Sequence, residues 1–266
     1  MNLGVYSNPF KDEHGVYAEK LCKQLQKAGA KYFLCAEESF SLQNAPFTPD
    51  AVVAFGGDGT MLRAVGECAA KNIPILGVNL GKVGFLTEVD CTDLEEAARK
   101  LLAGEYFTEK RLMLQAEFDG KTYYALNEAA LTGSLCHVAE IDVRIDGTPA
   151  DKVRADGVLV STPTGSTAYS LACNGPVLSP EIEAFIVNAI CPHSLHSCPI
   201  VVGSASEIVL KSVSEGLNLV IDGSIVRSGI SGAELKISKA ARYAEFIRFS
   251  KQNFYNRLLH KLNNWS

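Results

Sequence analysis

Residues 51–60 read Ala51-Val52-Val53-Ala54-Phe55-Gly56-Gly57-Asp58-Gly59-Thr60, and this stretch decides the fold of the 266-residue chain. Its first five residues are apolar throughout, as in a parallel strand that is buried on both faces. Glycines then let the backbone turn sharply, and apolar residues that recur from Met61 to Ala69 indicate a helix. The order of strand, glycine turn and helix predicts one repeat of a doubly wound α/β sheet.

The same alternation continues on both sides of this stretch. Towards the N terminus, a short apolar run at residues 3–6 indicates a strand, and apolar residues that recur every four positions over residues 17–25 indicate a helix. Towards the C terminus, residues 73–78 indicate another strand and residues 94–102 another amphipathic helix. We therefore expect an α/β N-terminal domain with a Rossmann-like parallel sheet over residues 1–105.

After residue 105 the pattern changes to apolar strands that are joined by tight turns. Asp119-Gly120 and Asp146-Gly147 each separate two strand-like runs, which is a strong short-range signal of a β-hairpin. One of these runs is continuous over residues 122–131. The pattern predicts a β-rich, sandwich-like domain over residues 106–245.

The composition is that of an ordinary globular protein, with 47% hydrophobic and 21% charged residues. Its formal net charge of −5 disfavours nucleic acid as a partner, because binding to a phosphate backbone needs a concentrated positive face. Apolar runs are shorter than the roughly 20 residues that a membrane helix requires. No signal-like segment opens the chain, and the eight cysteines include no C-x-x-C pair. We expect a cytoplasmic protein with reduced cysteines and no membrane partner.

The glycine turn carries the first candidate for chemistry. Backbone N–H groups at the start of the next helix suit phosphate oxygens, and glycines allow a ligand to approach closely. Asp58 would repel phosphate unless it had a function, and two functions fit: it accepts a proton from an attacking hydroxyl, or it helps to hold Mg²⁺. The alternative is that Asp58 only caps the helix. Arg63, five residues further on, could reach a phosphate.

A second candidate site combines residues 156–170 with the pair Asn127-Glu128. Seven of the ten residues 161–170 carry a hydroxyl, and they stand between an apolar strand and a helix that we expect to begin near Ser166. Such hydroxyls offer hydrogen bonds to a sugar or a base edge; alternatively, they satisfy the backbone of their own loop. Asn127 and Glu128 lie in the strand-like run at residues 122–131, which predicts that they point to opposite faces. No set of His and Cys residues has metal-ligand spacing, so we expect no metal held by the protein alone.

Together these residues resemble the NAD kinases, the enzymes that phosphorylate NAD to NADP. The motifs that carry the resemblance follow one another in the order usual for that family. They are Gly56–Thr60, Asn79–Gly81 with Gly84–Thr87, Asn127-Glu128, Asp156-Gly157, Thr162–Ser170, Pro192–Leu195 and Asp222-Gly223. The sequence departs from the family pattern at Leu171–Pro176, where a second glycine before the proline is usual.

The resemblance implies a fold and a role for each motif. NAD would bind between an α/β N-terminal and a β-rich C-terminal domain, and a terminal helix over residues 246–266 would return to the first domain. Asp58 would take the proton from the 2′-hydroxyl of the adenosine ribose as this oxygen attacks the terminal phosphorus of the donor. Gly57, Gly59 and Thr60 would contact the phosphates, and Asn127 and Glu128 the adenosine. Thr167, Ala168 and Tyr169 would lie around the adenine. Arg154 and Asp156 would reach the nicotinamide side, across a subunit interface. Further nucleotide-binding positions would be Arg63, Asn79, Phe85, Thr164, Ser166 and Ala172.

The resemblance also implies the reactants. NAD would be the substrate, ATP or polyphosphate the phosphoryl donor and Mg²⁺ the divalent cation, in a homodimer or homotetramer. Two alternatives stay open: a diacylglycerol-type lipid kinase, which shares the glycine–aspartate motif, and a non-catalytic NAD-binding regulator. The hydroxyl-rich block suits a polar ligand better than a lipid.

Overall fold

The structure, a computed structural model, describes residues 1–35, 40–81, 84–134, 137–194, 197–251 and 254–263. The chain forms two compact units. Met1–Lys110 and Tyr243–Ser266 make up the first, and Arg111–Arg242 make up the second. Within the described ranges, none of the helices combines the length and the apolar composition that a membrane span requires.

Strands and helices alternate through the first unit, as the sequence predicts. They are β1 (Asn2–Ser7), α1 (Val16–Lys27), β2 (Lys31–Cys35), β3 (Ala51–Gly56), α2 (Asp58–Ala70), β4 (Ile75–Asn79), β5 (Val89–Asp90) and α3 (Leu94–Ala103). The strands pair in the order β2-β1-β3-β4, and every one of these pairs is parallel. The predicted α/β fold of this part is therefore confirmed.

The core of the first unit lies between its sheet and two amphipathic helices. Every residue of β3 is buried, as its unbroken apolar sequence predicts. Leu21 and Leu25 of α1 and Leu94 and Leu101 of α3 belong to the same buried cluster as this strand. Burial of each such side chain stabilises the fold by about 1.5–3 kcal/mol. The packing fixes the carboxyl end of β3, from which the glycine turn leaves.

The second unit consists mainly of antiparallel strands. The remaining elements of the chain are β6 (Phe107–Phe118), β7 (Lys121–Ala125), β8 (Glu128–Thr132), β9 (Ala139–Ile145), β10 (Thr148–Ala155), β11 (Gly157–Ser161), α4 (Tyr169–Ala172), β12 (Ala184–Ile190), β13 (Ile200–Gly203), β14 (Ile208–Ser212), β15 (Leu217–Ile221), β16 (Ser224–Ile230), β17 (Glu234–Arg248) and α5 (Phe254–Asn263). One sheet has the order β13-β12-β11-β8-β15-β16, and β10, β9, β14 and β17 pair in a second. The predicted hairpins are present: Asp119-Gly120 and Asp146-Gly147 both have positive φ at each residue, as a type I′ turn requires.

Two predicted elements of the second unit are wrong in detail. The run at residues 122–131 is not one strand, because β7 ends at Ala125 and β8 begins at Glu128. The backbone N–H groups at the break donate to the carboxylate of Asp222. The helix expected near Ser166 is a 3₁₀ turn at Gly165–Thr167 followed by the four-residue α4.

The end of the chain belongs to the first unit. Phe246 of β17 pairs with Ile75 of β4 in parallel. In α5, the ring of Phe254 lies 6.2 Å from the ring of Phe85. The expected return of the terminal helix to the first domain is confirmed.

Candidate functional site

The glycine turn after β3 has a backbone that side chains would obstruct. Gly56 has φ +156°, and a Cβ at this position would stand 2.1 Å from the Thr60 hydroxyl. Gly57 is the N-cap of α2 in extended conformation, and no side chain caps the helix. Asp58 is therefore the first helical residue, and the alternative that it serves as the N-cap is wrong. At Gly57 and Gly59 a Cβ would meet no atom within 4 Å, so the backbone there is open to a ligand.

The carboxylate of Asp58 is fixed by the backbone of a second loop. Its Oδ2 accepts a hydrogen bond from the N–H of Phe85 at 3.0 Å, and its Oδ1 accepts one from the N–H of Leu86 at 2.9 Å. The loop approaches so closely that a Cβ on Gly84 would stand 2.2 Å from Oδ1. Each oxygen of the carboxylate accepts one of these backbone N–H groups, so the two bonds orient the group.

Gly84→Ala is expected to lower the free energy of unfolding by about 1–3 kcal/mol, because overpacking forces Asp58 or its loop to move. Gly66 in the middle of α2 is a matched control, since a Cβ there meets nothing within 4 Å. Gly66→Ala should raise the stability by about 0.5–1 kcal/mol. Chemical unfolding of both variants measures the difference; equal effects of the two substitutions would contradict the close contact at Gly84.

Three other predicted residues of the first unit surround the turn. Thr60 is buried, and its hydroxyl accepts a hydrogen bond from Nδ2 of Asn8 at 3.0 Å. Asn79, at the end of β4, donates from Nδ2 to the carbonyl of Gly81 at 2.8 Å. Its buried Oδ1 has no hydrogen-bond partner within the described ranges. Burial raises the pKa of the Tyr6 phenol, and a hydrogen bond with the Arg63 side chain opposes that rise. Arg63 is thus held on the exposed side of α2, beside the end of β1.

In the second unit, one buried carboxylate organises the Asn127-Glu128 motif. Asp222 accepts hydrogen bonds from the backbone N–H groups of Leu126 at 2.9 Å, Asn127 at 2.7 Å and Glu128 at 3.1 Å. Burial raises the pKa of Asp222, and these three bonds oppose the rise. The sequence marked Asp222-Gly223 as a motif without giving the aspartate this role. The bonds span more than ninety residues, so no local pattern could have shown them.

Glu128 is a buried acid whose charge is poorly compensated. Burial, followed by the negative charge of Asp222, raises the pKa of Glu128 to about 7, and a hydrogen bond from the backbone of Gly223 opposes the rise. Its Oε2 finds no hydrogen-bond partner in the part of the chain that the structure describes. Unsatisfied buried oxygens are rare in native proteins, so this atom marks a place where a ligand donor fits.

Most hydroxyls of residues 161–170 form hydrogen bonds with nearby backbone groups. This agrees with the alternative that they satisfy the backbone of their own loop. Thr162 donates to the carbonyl of Leu126, and its hydroxyl accepts from the N–H of Gly165. The hydroxyl of Ser166 donates to the carbonyl of Pro163 at 2.7 Å, and that of Thr167 donates to the carbonyl of Thr164 at 3.3 Å. The turn therefore depends on these side chains for its shape.

These bonds also join the turn to the Asn127-Glu128 motif. The N–H of Thr162 donates to the carbonyl of Asn127 at 2.9 Å. A Cβ on Gly165 would stand 2.2 Å from that carbonyl oxygen. The structure thus brings together two motifs that the sequence separates by about 35 residues. Thr164 lies in the same turn, and Nη1 of Arg111 donates to its hydroxyl at 3.5 Å.

Two more predicted residues, Asp156 and Tyr169, line one open pocket of about 540 Å³, together with Thr132, Gly133, Ser134, His137 and Val220. Tyr169 is 38% exposed, and burial of the rest of its ring raises the pKa of the phenol. Ala168 directly precedes this tyrosine as the N-cap of α4, and Ala172 is exposed at the end of that helix.

Arg154 is not among the lining residues of that pocket. Its side chain is 69% exposed, and its Nε lies 3.0 Å from Oε1 of Glu140. In the described structure, this arginine therefore forms an exposed ion pair with Glu140. Among the described residues, no group of three or more His, Cys, Asp or Glu side chains is arranged to hold a metal ion.

Comparison with known proteins gives one family over nearly the whole chain. Family models match as "ATP-NAD kinase N-terminal domain" over residues 5–106 and "ATP-NAD kinase C-terminal domain" over residues 126–249. The chain is 37% identical over 273 residues to an NAD kinase from Desulforamulus reducens, covering 98% of this chain and 94% of that protein. It is 33% identical over 262 residues to an NAD kinase from Caldicellulosiruptor saccharolyticus, covering 98% and 99%.

This chain is also similar to a solved structure of an NAD kinase. The crystal structure of an NAD kinase from Archaeoglobus fulgidus in complex with ATP is 28% identical to this chain. It matches with a TM-score of 0.82 and covers 99% of both chains. The matched ranges of the two family models include the glycine turn and Asn127-Glu128. The chain belongs to the NAD kinase family.

Proposed function

We propose that this chain transfers the terminal phosphoryl group of ATP, or of polyphosphate, to the 2′-hydroxyl of the adenosine ribose of NAD and so forms NADP. The observation that carries the proposal is the carboxylate of Asp58, held by two backbone N–H groups next to an open glycine backbone. Phosphoryl transfer asks the protein mainly to position its reactants and to stabilise charge. A fixed base beside exposed amide groups meets that demand.

Asp58 acts as the general base in this proposal. The ribose oxygen forms a bond to the terminal phosphorus, and the bond from that phosphorus to the bridging oxygen breaks. ADP leaves with the bridging oxygen when ATP is the donor, and the polyphosphate shortened by one phosphate leaves when polyphosphate is the donor. The 2′-hydroxyl proton passes to the carboxylate of Asp58. Gly57, Gly59 and Thr60 line the approach of the phosphates, and the N-terminal end of α2 favours their negative charge. Arg63, Asn79 and Phe85 are proposed as further contacts around this end.

Magnesium enters this proposal with the nucleotide. Mg²⁺ is usually bound through one or two carboxylates together with substrate phosphates and water, rather than by an all-protein cage. The glycine turn offers one carboxylate for that mode, because two backbone N–H groups hold the side chain of Asp58 beside the open backbone of Gly57 and Gly59. The ion would neutralise charge on the transferred phosphoryl group. Asp58 is the side chain at the glycine turn that could contribute an oxygen.

On the NAD side, we assign Asn127 and Glu128 to the adenosine. The unpartnered Oε2 of Glu128 supports this assignment, because ribose hydroxyls and the adenine amino group are donors. Thr167, Ala168 and Tyr169 are proposed to bracket the adenine, and Arg154 and Asp156 to lie on the nicotinamide side. Thr164, Ser166 and Ala172 are proposed to contact the nucleotide from the same turn, with their backbone, since the Ser166 hydroxyl is engaged within it.

The proposal is tested by incubating the purified chain with NAD and Mg²⁺, and with either ATP or polyphosphate, and measuring NADP by mass spectrometry. We expect NADP with at least one donor and its loss when EDTA removes the cation. Phosphorylation of diacylglycerol with NAD unchanged would support the lipid-kinase alternative, which the relatives do not favour. Binding of NAD with no phosphorylated product would support the regulator.

Two further proposals concern assembly and location. The chain is proposed to form a homodimer or homotetramer, because the resemblance to NAD kinases implies that Arg154 acts across a subunit interface, and its side chain is 69% exposed. Sedimentation velocity of wild type and Arg154→Ala, with and without NAD, measures the oligomer and its dependence on that residue. A cytoplasmic location is proposed from the free cysteines of the described chain.

A further inference from the structure

The loop that holds Asp58 is itself held by arginines from the end of the chain. The carbonyl of Phe85 accepts a hydrogen bond from Nη1 of Arg257 at 2.9 Å, and the carbonyl of Leu86 accepts one from Nη1 of Arg248 at 3.1 Å. Arg257 lies on α5 and Arg248 is the last residue of β17. Two cations therefore bind the carbonyls of the segment whose N–H groups bind the carboxylate.

One peptide group joins Arg257 directly to Asp58. The carbonyl of Phe85 and the N–H of Leu86 belong to the same trans peptide, and they point in opposite directions within its plane. The carbonyl accepts from Arg257 at 2.9 Å, and the N–H donates to Oδ1 of Asp58 at 2.9 Å. A cation on the oxygen polarises the peptide and strengthens its N–H as a donor, as in other chains of hydrogen bonds in a low-dielectric interior.

Two acids, the buried Glu88 and the partly exposed Glu109, hold the arginines in this arrangement. The side chain of Glu88 is 2% exposed, and its Oε2 lies 3.1 Å from Nη2 of Arg257 and 3.3 Å from Nη1 of Arg248. Its Oε1 accepts from the backbone N–H of Phe249 at 3.0 Å. Nε of Arg248 lies 2.6 Å from Oε2 of Glu109. The two arginines and two glutamates balance in charge, and their geometry leaves Arg257 a guanidinium N–H aimed at the loop.

A cluster of buried ion pairs by itself contributes little to the free energy of unfolding. Buried ion pairs lose much of their attraction to the cost of desolvation, and apolar replacements are often as stable. The terminal helix already has an apolar contact with the loop through Phe254 and Phe85. What the guanidinium adds is a fixed direction and a positive charge at one carbonyl.

We propose that Arg257 is a positioning residue for the phosphoryl-transfer reaction, acting on Asp58 through the Phe85–Leu86 peptide. The inference rests on the proposed function. It gives the terminal helix a part in the reaction, because the helix carries the cation that sets the orientation of the base. Arg257 touches neither NAD nor the donor in this account.

The first test is Arg257→Met, which removes the charge and the donor but keeps an apolar chain of similar length. We expect kcat for NADP formation to fall about 10-fold, because small errors in orientation are costly in this kind of catalysis. The KM for NAD should change less than about twofold, since the nucleotide contacts remain. Arg257→Lys should lower kcat by less than Arg257→Met does, because one ammonium donor can still reach the carbonyl of Phe85. The control is Arg99→Met, which breaks the ion pairs of an exposed arginine with Glu96 and Glu105.

A double-mutant cycle separates positioning from general structural damage. In the Asp58→Asn background, Arg257→Met should lower the residual kcat by less than about twofold, because its effect passes through the missing carboxylate. The same fold loss in both backgrounds, or a single variant with kcat within about twofold of wild type, would overturn the inference.

Hydrogen exchange of the segment 84–88 gives a readout that does not depend on activity. We expect the amides of Phe85 and Leu86 to exchange faster in Arg257→Met than in wild type and in Arg99→Met. Unchanged exchange in Arg257→Met would overturn the inference, whether or not wild type makes NADP. A wild type that makes no NADP would overturn the proposed function instead. If Arg257→Met does not fold, the kcat and exchange of Arg257→Lys decide the question.

Discussion

Asp58→Asn is expected to lower kcat for NADP formation by roughly 10²–10⁴-fold, the usual contribution of a general base. The amide has nearly the size of the carboxylate, and its oxygen can still accept from the N–H of Phe85 or Leu86. It cannot take the proton of the ribose hydroxyl at neutral pH. The affinity for NAD should stay within about threefold of wild type, because Asp58 takes the proton only in the transition state and not in the complex with bound NAD.

Asp50→Asn is the matched control for this substitution. Asp50 lies in the same unit, and its Oδ2 accepts one backbone N–H, from Asn2, at 2.7 Å on the surface. Steady-state rates with saturating NAD and ATP, together with calorimetric titration of NAD, separate turnover from binding. A rate for Asp58→Asn within a few-fold of wild type would show that another group takes the proton.

Glu128→Gln is expected to change how stability depends on pH. The pKa of Glu128 is raised to about 7 in the folded protein, from 4.5 as the ordinary value. Between these two values the folded state binds more protons than the unfolded state, so the stability of wild type falls as pH rises. Above pH 7 the ionised, buried carboxylate costs about 3 kcal/mol relative to its contribution below pH 4.5. The glutamine variant has no such charge, so it should lose this part of the pH dependence.

Chemical unfolding at pH 4.5 and pH 8 measures this effect, with Glu117→Gln as the control for loss of an exposed carboxyl from the same unit. The difference in unfolding free energy between wild type and Glu128→Gln should move by about 3 kcal/mol in favour of the variant at the higher pH. A difference that is the same at both pH values would contradict the buried charge. Weaker binding of NAD by this variant would additionally support the adenosine assignment.

Local sequence was sufficient to predict the glycine turn and its strand and helix. An apolar strand, glycines without Cβ atoms and a following helix act within ten residues, and each has a direct physical cause. The hairpins at Asp119-Gly120 and Asp146-Gly147 were predictable for the same reason, since both residues of each pair adopt the positive φ that the turn requires.

Contacts between distant parts of the chain were not predictable in this way. Asp222 interrupts the run at residues 122–131 by taking its N–H groups, and nothing within that run signals the break. The expected helix near Ser166 is a 3₁₀ turn because the local hydroxyls bind backbone carbonyls there. This is the competition between side chains and helical hydrogen bonds that such residues cause.

The hydrogen bonds between the loop at residues 84–88 and Asp58 were not predictable from local sequence either. The motif drew attention to both segments, but the two bonds from Phe85 and Leu86 cross 27 and 28 residues. Arg257 lies 172 residues from the carbonyl that it binds. The sequence thus predicted the strand, the turn and the helix at this point, and the structure adds how the carboxylate of Asp58 is oriented.

The most direct test of the central claim is the position of the new phosphoryl group in the product. Wild type is incubated with NAD, ATP and Mg²⁺, and the isolated product is examined by phosphorus NMR with coupling to the ribose protons. The account predicts one new phosphomonoester, coupled to the 2′ proton of the adenosine ribose, with ADP as the co-product. A phosphoryl group on any other oxygen, or free phosphate with NAD unchanged, would contradict it.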